Sequence, residues 1–294
     1  MSTVLITGTS SGIGLATALE LGKAGHKVYA TMRNPARAPE LGRRASAEGL
    51  PISILTMDVD SDQSVADCFA SVYRQEAHID VLVNNAGVER HGSVEELPME
   101  AFRATMETNY FGALRAIHQV VPRMRERGSG CIVNVTSVAG KISSSPLGSY
   151  TASKFALEAV SEALAQEMKP FGVRVAIVEP GIIDTPMAHA IDDAPPSRYQ
   201  QGRHLAALFQ ASLEHGTPPS VVAAVIRDVI ESGTWKLRHP AGPDAAPFLA
   251  WRAAMTDEEW TEFNTLDAEA FRARVKKDFG LELKLPAEAT RAAG

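Results

Sequence analysis

Val4-Leu5-Ile6-Thr7-Gly8-Thr9-Ser10-Ser11-Gly12-Ile13-Gly14 opens the chain with a short apolar run, a glycine-rich turn and then, over residues 15–24, apolar residues at helical spacing. A strand feeding a glycine turn and a helix makes a cradle for phosphate. Gly8 permits the tight turn, Gly12 lets backbone approach a pyrophosphate, Gly14 allows close helix packing, and the helix amino terminus offers unpaired N–H groups to anionic oxygens. Outward from this unit, strand-like runs at 27–31, 52–56, 81–83, 131–135, 173–178 and 235–237 alternate with helical stretches. That alternation predicts an α/β fold, a doubly wound parallel sheet of seven strands between two layers of helices. Helix ends are marked by Gly25, Gly128, Gly130 and Gly172, and Pro122 is expected to kink or interrupt the long helical segment 99–127.

The second informative stretch is Ser149-Tyr150-Thr151-Ala152-Ser153-Lys154. Four residues apart on a helix, Tyr150 and Lys154 share one face. A phenol beside an ammonium is a tuned acid, because a nearby cation favours the phenolate and moves its pKa toward the working range, which suits proton transfer to a carbonyl or from an alcohol. Ser137 falls just past the strand at 131–135, at the carboxyl edge where open α/β sheets bind ligands, and its hydroxyl can donate to a substrate oxygen.

Taken with the glycine turn, these residues make the chain resemble the classical short-chain dehydrogenase/reductase family, from Thr3 to about Pro186. Thr7-Gly8-x-x-x-Gly12-Ile13-Gly14 is similar to the family's cofactor loop, with Ser10 and Ser11 inside it. Asp58-Val59 resembles its adenine contact, and Asn84-Asn85-Ala86-Gly87 its strand-four motif. Asn109 matches the active-site asparagine, Ser137 the catalytic serine, and the run Pro180-Gly181-Ile182-Ile183-Asp184-Thr185 the loop on the nicotinamide side. The resemblance implies a Rossmann-type fold and an NAD(P)-dependent oxidoreductase acting on a carbonyl/alcohol pair. In it Ser137 polarises the carbonyl, Tyr150 gives or takes the proton, Lys154 lowers the tyrosine pKa and bonds the nicotinamide ribose, and Asn109 closes a proton relay.

Bulk properties narrow this. The chain has 294 residues with 45% hydrophobic and 22% charged, ordinary for one large α/β core. A formal net charge of −6 gives no basic footprint for nucleic acid. Cys68 and Cys131 sit in apolar stretches without metal-ligand spacing, so no metal is expected and reduced core thiols of a cytoplasmic protein are. The first strand starts by residue 4, leaving no room for a signal peptide, and no apolar run reaches the length of a membrane helix.

Cofactor choice turns on the end of the second strand, where an acidic residue would bind a ribose 2′-hydroxyl. Met32 stands there instead, followed by Arg33, whose planar fork suits a 2′-phosphate, with Arg37 as a second donor. NADP(H) is the expected cofactor, with NAD(H) the alternative if Arg33 only stacks on adenine. One domain is expected, with a cofactor-binding and catalytic core over 1–186, a substrate lid over 187–218, the last helix and strand over 219–240 and a helical extension over 241–294. In or near the lid, His189, Asp192, Asp193, His204 and His215 read as ordinary polar residues because their spacing is irregular, while His91 is a pocket candidate. Ile142, Leu147, Ile182, Met187 and Phe209 predict an apolar pocket for a hydrophobic ketone or secondary alcohol. Thr256-Asp257-Glu258-Glu259 resembles a capping box, and Trp260, Phe263, Ala270, Phe271 and Val275 follow at helical spacing, so one amphipathic helix is expected before Gly280, for packing or for the pocket. Ala152, Ala156, Ala159 and Ala163 form a small-residue stripe on the Tyr150 helix that resembles the family's dimer face, implying a homodimer or homotetramer. Two other readings differ in class: a dinucleotide-sensing regulator, which leaves the Ser137-Tyr150-Lys154-Asn109 set without a purpose, and a methyltransferase with a similar glycine loop, which leaves Y-x-x-x-K unexplained.

Overall fold

The computed structural model describes residues 1–193 and 197–285. Its strands are β1 (Thr3–Ile6), β2 (Lys27–Met32), β3 (Ile52–Thr56), β4 (Val81–Asn84), β5 (Gly130–Val135), β6 (Val173–Pro180) and β7 (Arg238–Ala241). Its helices are α1 (Gly12–Lys23), α2 (Glu40–Ala47), α3 (Asp62–Tyr73), α4 (Met99–Met106), α5 (Gly112–Arg127), α6 (Gly148–Met168), α7 (Pro186–His189), α8 (Gln201–Leu213), α9 (Pro219–Ser232), α10 (Ala245–Ala253), α11 (Asp257–Thr265) and α12 (Ala268–Phe279). The strands form one parallel sheet in the order β3-β2-β1-β4-β5-β6-β7.

Side-chain alternation explains why both faces of the sheet are covered. Val4, Ile6, Val28, Ala30, Val81, Val83 and Val133 point to one face and pack under Ala18, Leu19 and Leu21 of α1, Leu41 of α2, and Val222, Ile226 and Val229 of α9. Leu5, Tyr29, Leu82, Ile132 and Val175, the intervening positions, meet Phe69 of α3, Ile117 and Val120 of α5, and Leu164 of α6 on the other face. A sheet buried on both sides needs near-continuous apolar strands, which is what the runs supply. The strand order turns back at β1 and β4, and the crevice at their carboxyl ends is where open α/β sheets take ligands.

Three expectations are corrected. The last strand is Arg238–Ala241, not residues 235–237, and Trp235 is half exposed. The apolar alternation of Trp235 and Leu237 gives way to register: Arg238 pairs opposite Ile177, and its guanidinium bonds the buried Glu158 carboxylate at 3.0 Å, while Pro240 is tolerated because β7 is an edge strand. The segment 99–127 breaks not at Pro122 but at a π-turn, Glu107–Phe111. Pro122 stays inside α5 because it is exposed, as is His118, whose carbonyl it frees to bond water. The extension beyond the capping box, which does form at Thr256 and Glu259, is two helices rather than one, since Asp267 caps a new start at Ala270 N–H. Trp251, Trp260, Phe263, Phe271, Phe279 and Val275 from this extension gather against Ala207 and Leu208 of α8 as a third apolar cluster.

Candidate active site

The glycine turn is locked against β4. Gly8 has φ +71°, and a Cβ there would stand 2.6 Å from Ala86 Cα; one on Gly14 would collide with the Gly8 carbonyl oxygen. Asn85 fixes the pair: its Nδ2 donates to the Thr7 and Gly8 carbonyls, both at 2.9 Å, and the Thr7 hydroxyl accepts from the Asn85 and Ala86 N–H groups. The Asn85 side chain thus holds the loop, while Asn85 itself lines the cavity. Backbone is packed too tightly here for any side chain but hydrogen, leaving the amino end of α1, uncapped by Ser11, open to an anion. The residues therefore fit a dinucleotide pyrophosphate.

Around this cradle lies a cavity of about 350 Å³ that gathers the sequence-identified residues. Gly8, Ser10, Ser11, Gly12, Ile13 and Gly14 line it, as do Arg33, Asp58 and Val59, Asn85, Ala86 and Gly87, and Pro180, Gly181, Ile183 and Thr185. Met32 is buried, Arg33 is exposed, and the Arg33 guanidinium has no carboxylate partner among the described residues.

Ser137, Tyr150 and Lys154 line the same cavity. They come from the end of β5 and the first two turns of α6, and each is less than a tenth exposed. The Ser137 hydroxyl accepts from Ala139 N–H at 3.1 Å, donates to the Pro180 carbonyl at 3.4 Å and lies near enough to the Tyr150 phenol to lower its pKa. Lys154 Nζ donates to the Val135 carbonyl at 3.0 Å and stands 5.5 Å from the Tyr150 ring centre. Burial pushes the phenol well above its ordinary value, the Glu89 carboxylate adds to that, and the Ser137 hydrogen bond pulls it down. Burial brings the Lys154 ammonium down to about 8, against the raising influence of Glu89 and Glu158. The lowering of the phenol expected from Lys154 is therefore overridden here by desolvation, and the group that does lower it is Ser137.

Asn109 does not line the cavity. It sits on the π-turn, whose wider coil turns it inward, and its side chain bonds Val88 N–H at 2.8 Å, the Val88 carbonyl at 2.9 Å and Ser153 Oγ at 2.9 Å. It braces the loop after β4 against α6. His91 likewise stands behind the cavity rather than on it, paired with Glu89, which does line it.

Ile142, Leu147, Ile182, Met187 and Phe209 line the cavity beyond Tyr150. Phe248, Trp251, Trp260, Phe263, Phe271 and Phe279 extend that apolar wall, so the extension both packs and lines the pocket. The Trp260 indole N–H donates to the Ser143 carbonyl at 2.8 Å, joining α11 to the loop before α6. Of the lid residues, His189 bonds Asp184 at 2.8 Å, His204 stacks on Phe271 with centroids 4.5 Å apart, and His215 is exposed. Pro195 and Pro196 lie outside the described residues, as do the side chains of Asp192 and Asp193. Among the described residues no three His, Cys, Asp or Glu side chains group as metal ligands, and no helix is long and apolar enough to cross a membrane.

Two acids, the half-buried Asp244 and the buried Glu179, were not anticipated. Asp244, just before α10, accepts from Ile182 N–H at 2.7 Å and so holds the Pro180-Gly181 loop from beneath; a helix-start aspartate after Gly242-Pro243 was the available signal. Glu179, next to that loop, is 1% exposed, and burial with the neighbouring Glu158 pushes its carboxyl up to about 7 against the opposing pull of Arg238. A folded-state pKa above the unfolded value near 4.3 means stability is fully present below the unfolded value and is lost as pH rises toward 7. Glu179→Gln, neutral throughout, is expected to melt higher than the parent at pH 8, by on the order of 1–3 kcal/mol, with the gap closing below about pH 4.5. Thermal melts across that range check it; a variant less stable at pH 8 would show the carboxylate to be favourably paired.

Comparison with known proteins agrees with this geometry. A sequence model of the family described as short chain dehydrogenase matches residues 2–196. The chain is 34% identical over 267 residues to the uncharacterized oxidoreductase YusZ of Bacillus subtilis (strain 168), covering 87% of this chain and 94% of that protein. It is 36% identical over 266 residues to retinol dehydrogenase 8 of Bos taurus, covering 85% of each. A crystal structure of a short-chain dehydrogenase from Streptomyces avermitilis superposes with a TM-score of 0.75 at 32% identity, over 93% of this chain and 99% of the other. The chain belongs to the short-chain dehydrogenase/reductase family, and its seven-stranded parallel sheet between helices is that family's Rossmann-type fold.

Proposed function

We propose that this protein is an NADP(H)-dependent oxidoreductase that interconverts a ketone and a secondary alcohol on a hydrophobic small molecule. The observation that carries this reading is the meeting of Ser137, Tyr150 and Lys154 between a glycine cradle and an aromatic-walled pocket. A bound nicotinamide dinucleotide supplies or takes the hydride. The chain's own residues do the rest: Ser137 holds the substrate oxygen, Tyr150 gives or accepts the proton on it, Lys154 bonds the nicotinamide ribose, and Asn109 fixes the loop and helix that place them. The aromatic extension supports an apolar, steroid-, retinoid- or aryl-ketone-like substrate, consistent with a relative named for retinol. Residues 187–218 act as its lid, with α7 and α8 as helical pieces. A homo-oligomer is supported by Ala152, Phe155, Ala159 and Ala163, all exposed on α6 at helical spacing.

Turnover of a panel of apolar ketones and secondary alcohols, read at the nicotinamide absorbance, tests the activity. Cofactor preference rests on Arg33. Arg33→Ala is expected to raise the NADPH dissociation constant roughly ten- to hundredfold, the loss of one charge-assisted hydrogen bond, with NADH affinity nearly constant. Titration of both cofactors decides it: a parent protein that binds NADH more tightly means Arg33 only stacks on adenine.

A further inference from the structure

Three carboxylates line the cavity, Asp58, Asp60 and Glu89, and Glu89 is the one on the loop after the strand-four motif that the proposed chemistry does not use. Glu89 lines the cavity, and its side chain and that of His91 are each 7% exposed. His91 Nε2 contacts Glu89 Oε1, while Oε2 has no hydrogen-bond partner among the described residues. The loop carrying the pair is pinned from both ends: Asn109 holds both backbone groups of Val88, Ser149 Oγ donates to the Arg90 carbonyl at 3.3 Å, and Gly92 N–H donates to the Pro146 carbonyl at 3.1 Å. The carboxylate is thus positioned before substrate arrives. A carboxylate offers about four lone-pair sites, and an oxygen that borders the cavity with no protein partner is open to accept from a substrate donor.

We propose that Glu89, held by His91, is the specificity-determining acceptor of this pocket and selects ketones that carry a hydroxyl on the carbon next to the reacting one. This deepens the oxidoreductase reading and rests on it. The hydroxyl belongs near the reacting carbon because the Glu89 loop runs beside Lys154: a Cβ on Gly87, two residues before Glu89, would stand 3.8 Å from Lys154 Nζ, and Glu89, Tyr150 and Lys154 line the same cavity. A neutral donor fits better than an ammonium, since Lys154 and His91 already supply positive or donor character beside the carboxylate. A site built to bond a substrate hydroxyl rejects the analogue lacking it far more strongly than an apolar pocket rejects a missing methylene.

Benzoin and deoxybenzoin, which differ by that one hydroxyl, are the probes. With NADPH the parent is expected to show a kcat/KM for benzoin about ten- to hundredfold above that for deoxybenzoin. In Glu89→Leu, with NADPH binding as the check on folding, that ratio is expected to fall toward one. Glu89→Gln adds a readout that a structural role would not move. Tyr150 and Lys154 on α6 and His91 on its own loop face the Glu89 carboxylate, and Glu158 lies beyond Lys154. Loss of the negative charge eases formation of the phenolate, so the basic limb of the alcohol-oxidation pH profile is expected to move to lower pH. Equal kcat/KM for the two ketones in the parent, a ratio that survives in Glu89→Leu, or an unmoved profile in Glu89→Gln overturns the proposal. Turnover of neither ketone, nor of any ketone in the apolar panel, overturns the oxidoreductase reading with it.

Discussion

Tyr150→Phe is expected to cut turnover by at least the ~10²–10⁴ typical of general acid–base catalysis, while cofactor binding persists. The size of the loss follows from geometry. Tyr150 is buried at the start of α6, lines the cavity with Ser137, and among the lining residues no second phenol stands beside it. Phenylalanine fills the same volume, so the packing of α6 is kept and only the proton carrier leaves. The sign of the pH dependence is fixed too. Burial and Glu89 hold the phenol protonated well past neutrality. Carbonyl reduction, which consumes the phenol proton, should therefore be flat through neutral pH, whereas alcohol oxidation, which needs the phenolate, should climb as pH rises. Steady-state rates in both directions for parent and variant check this, and activity within tenfold of the parent would remove Tyr150 from the chemistry.

The parts of this molecule that were legible in the sequence are those where a local rule and the global fold agree. The glycine turn reads correctly because Gly8 and Gly14 stand where backbone meets backbone, a constraint that leaves no other residue type. The strands of the sheet read correctly where both faces are buried, since burial on two sides forces apolar runs. The edge strand β7 did not, because Arg238 sets its register through ion pairs to Glu158 and Glu179, and no propensity encodes a partner so far away in sequence. The π-turn was equally silent: Glu107 to Phe111 has ordinary helix-compatible composition, and the bulge answers to the three bonds that Asn109 makes with Val88 and Ser153. In the site, residue types tied to motifs were gathered at one cavity, while their individual tasks needed coordinates. Asn85 clamps a loop, Asn109 braces a helix, and Asp244 reaches in from the extension to hold Ile182. Glu89 stood in a polar run, Glu89-Arg90-His91, directly after Asn84-Asn85-Ala86-Gly87-Val88, where nothing singles out one charge, and its weight became visible only once its side chain was seen to be buried.

Ser137→Ala separates two roles that the serine hydroxyl plays at once. It accepts from Ala139 N–H, capping the turn Val138–Gly140, and it lowers the Tyr150 phenol beside which it lines the cavity. Loss of a cap costs stability on the order of 0.5–2 kcal/mol and would appear in the melting temperature. Loss of a donor aimed at the developing charge on a substrate oxygen costs about 10²–10³ in kcat, with cofactor affinity nearly constant, because Ser137 is placed against the substrate and not against the cradle. The Ala variant also removes the one hydrogen bond that lowers the Tyr150 phenol, so the rising limb of alcohol oxidation should move to higher pH, opposite in sign to the shift expected for Glu89→Gln. A variant that melts lower yet turns over at the parental rate, with an unmoved profile, would make Ser137 a strand-end cap alone. A large fall in kcat with a displaced profile would place the hydroxyl on the reacting oxygen and beside the phenol together.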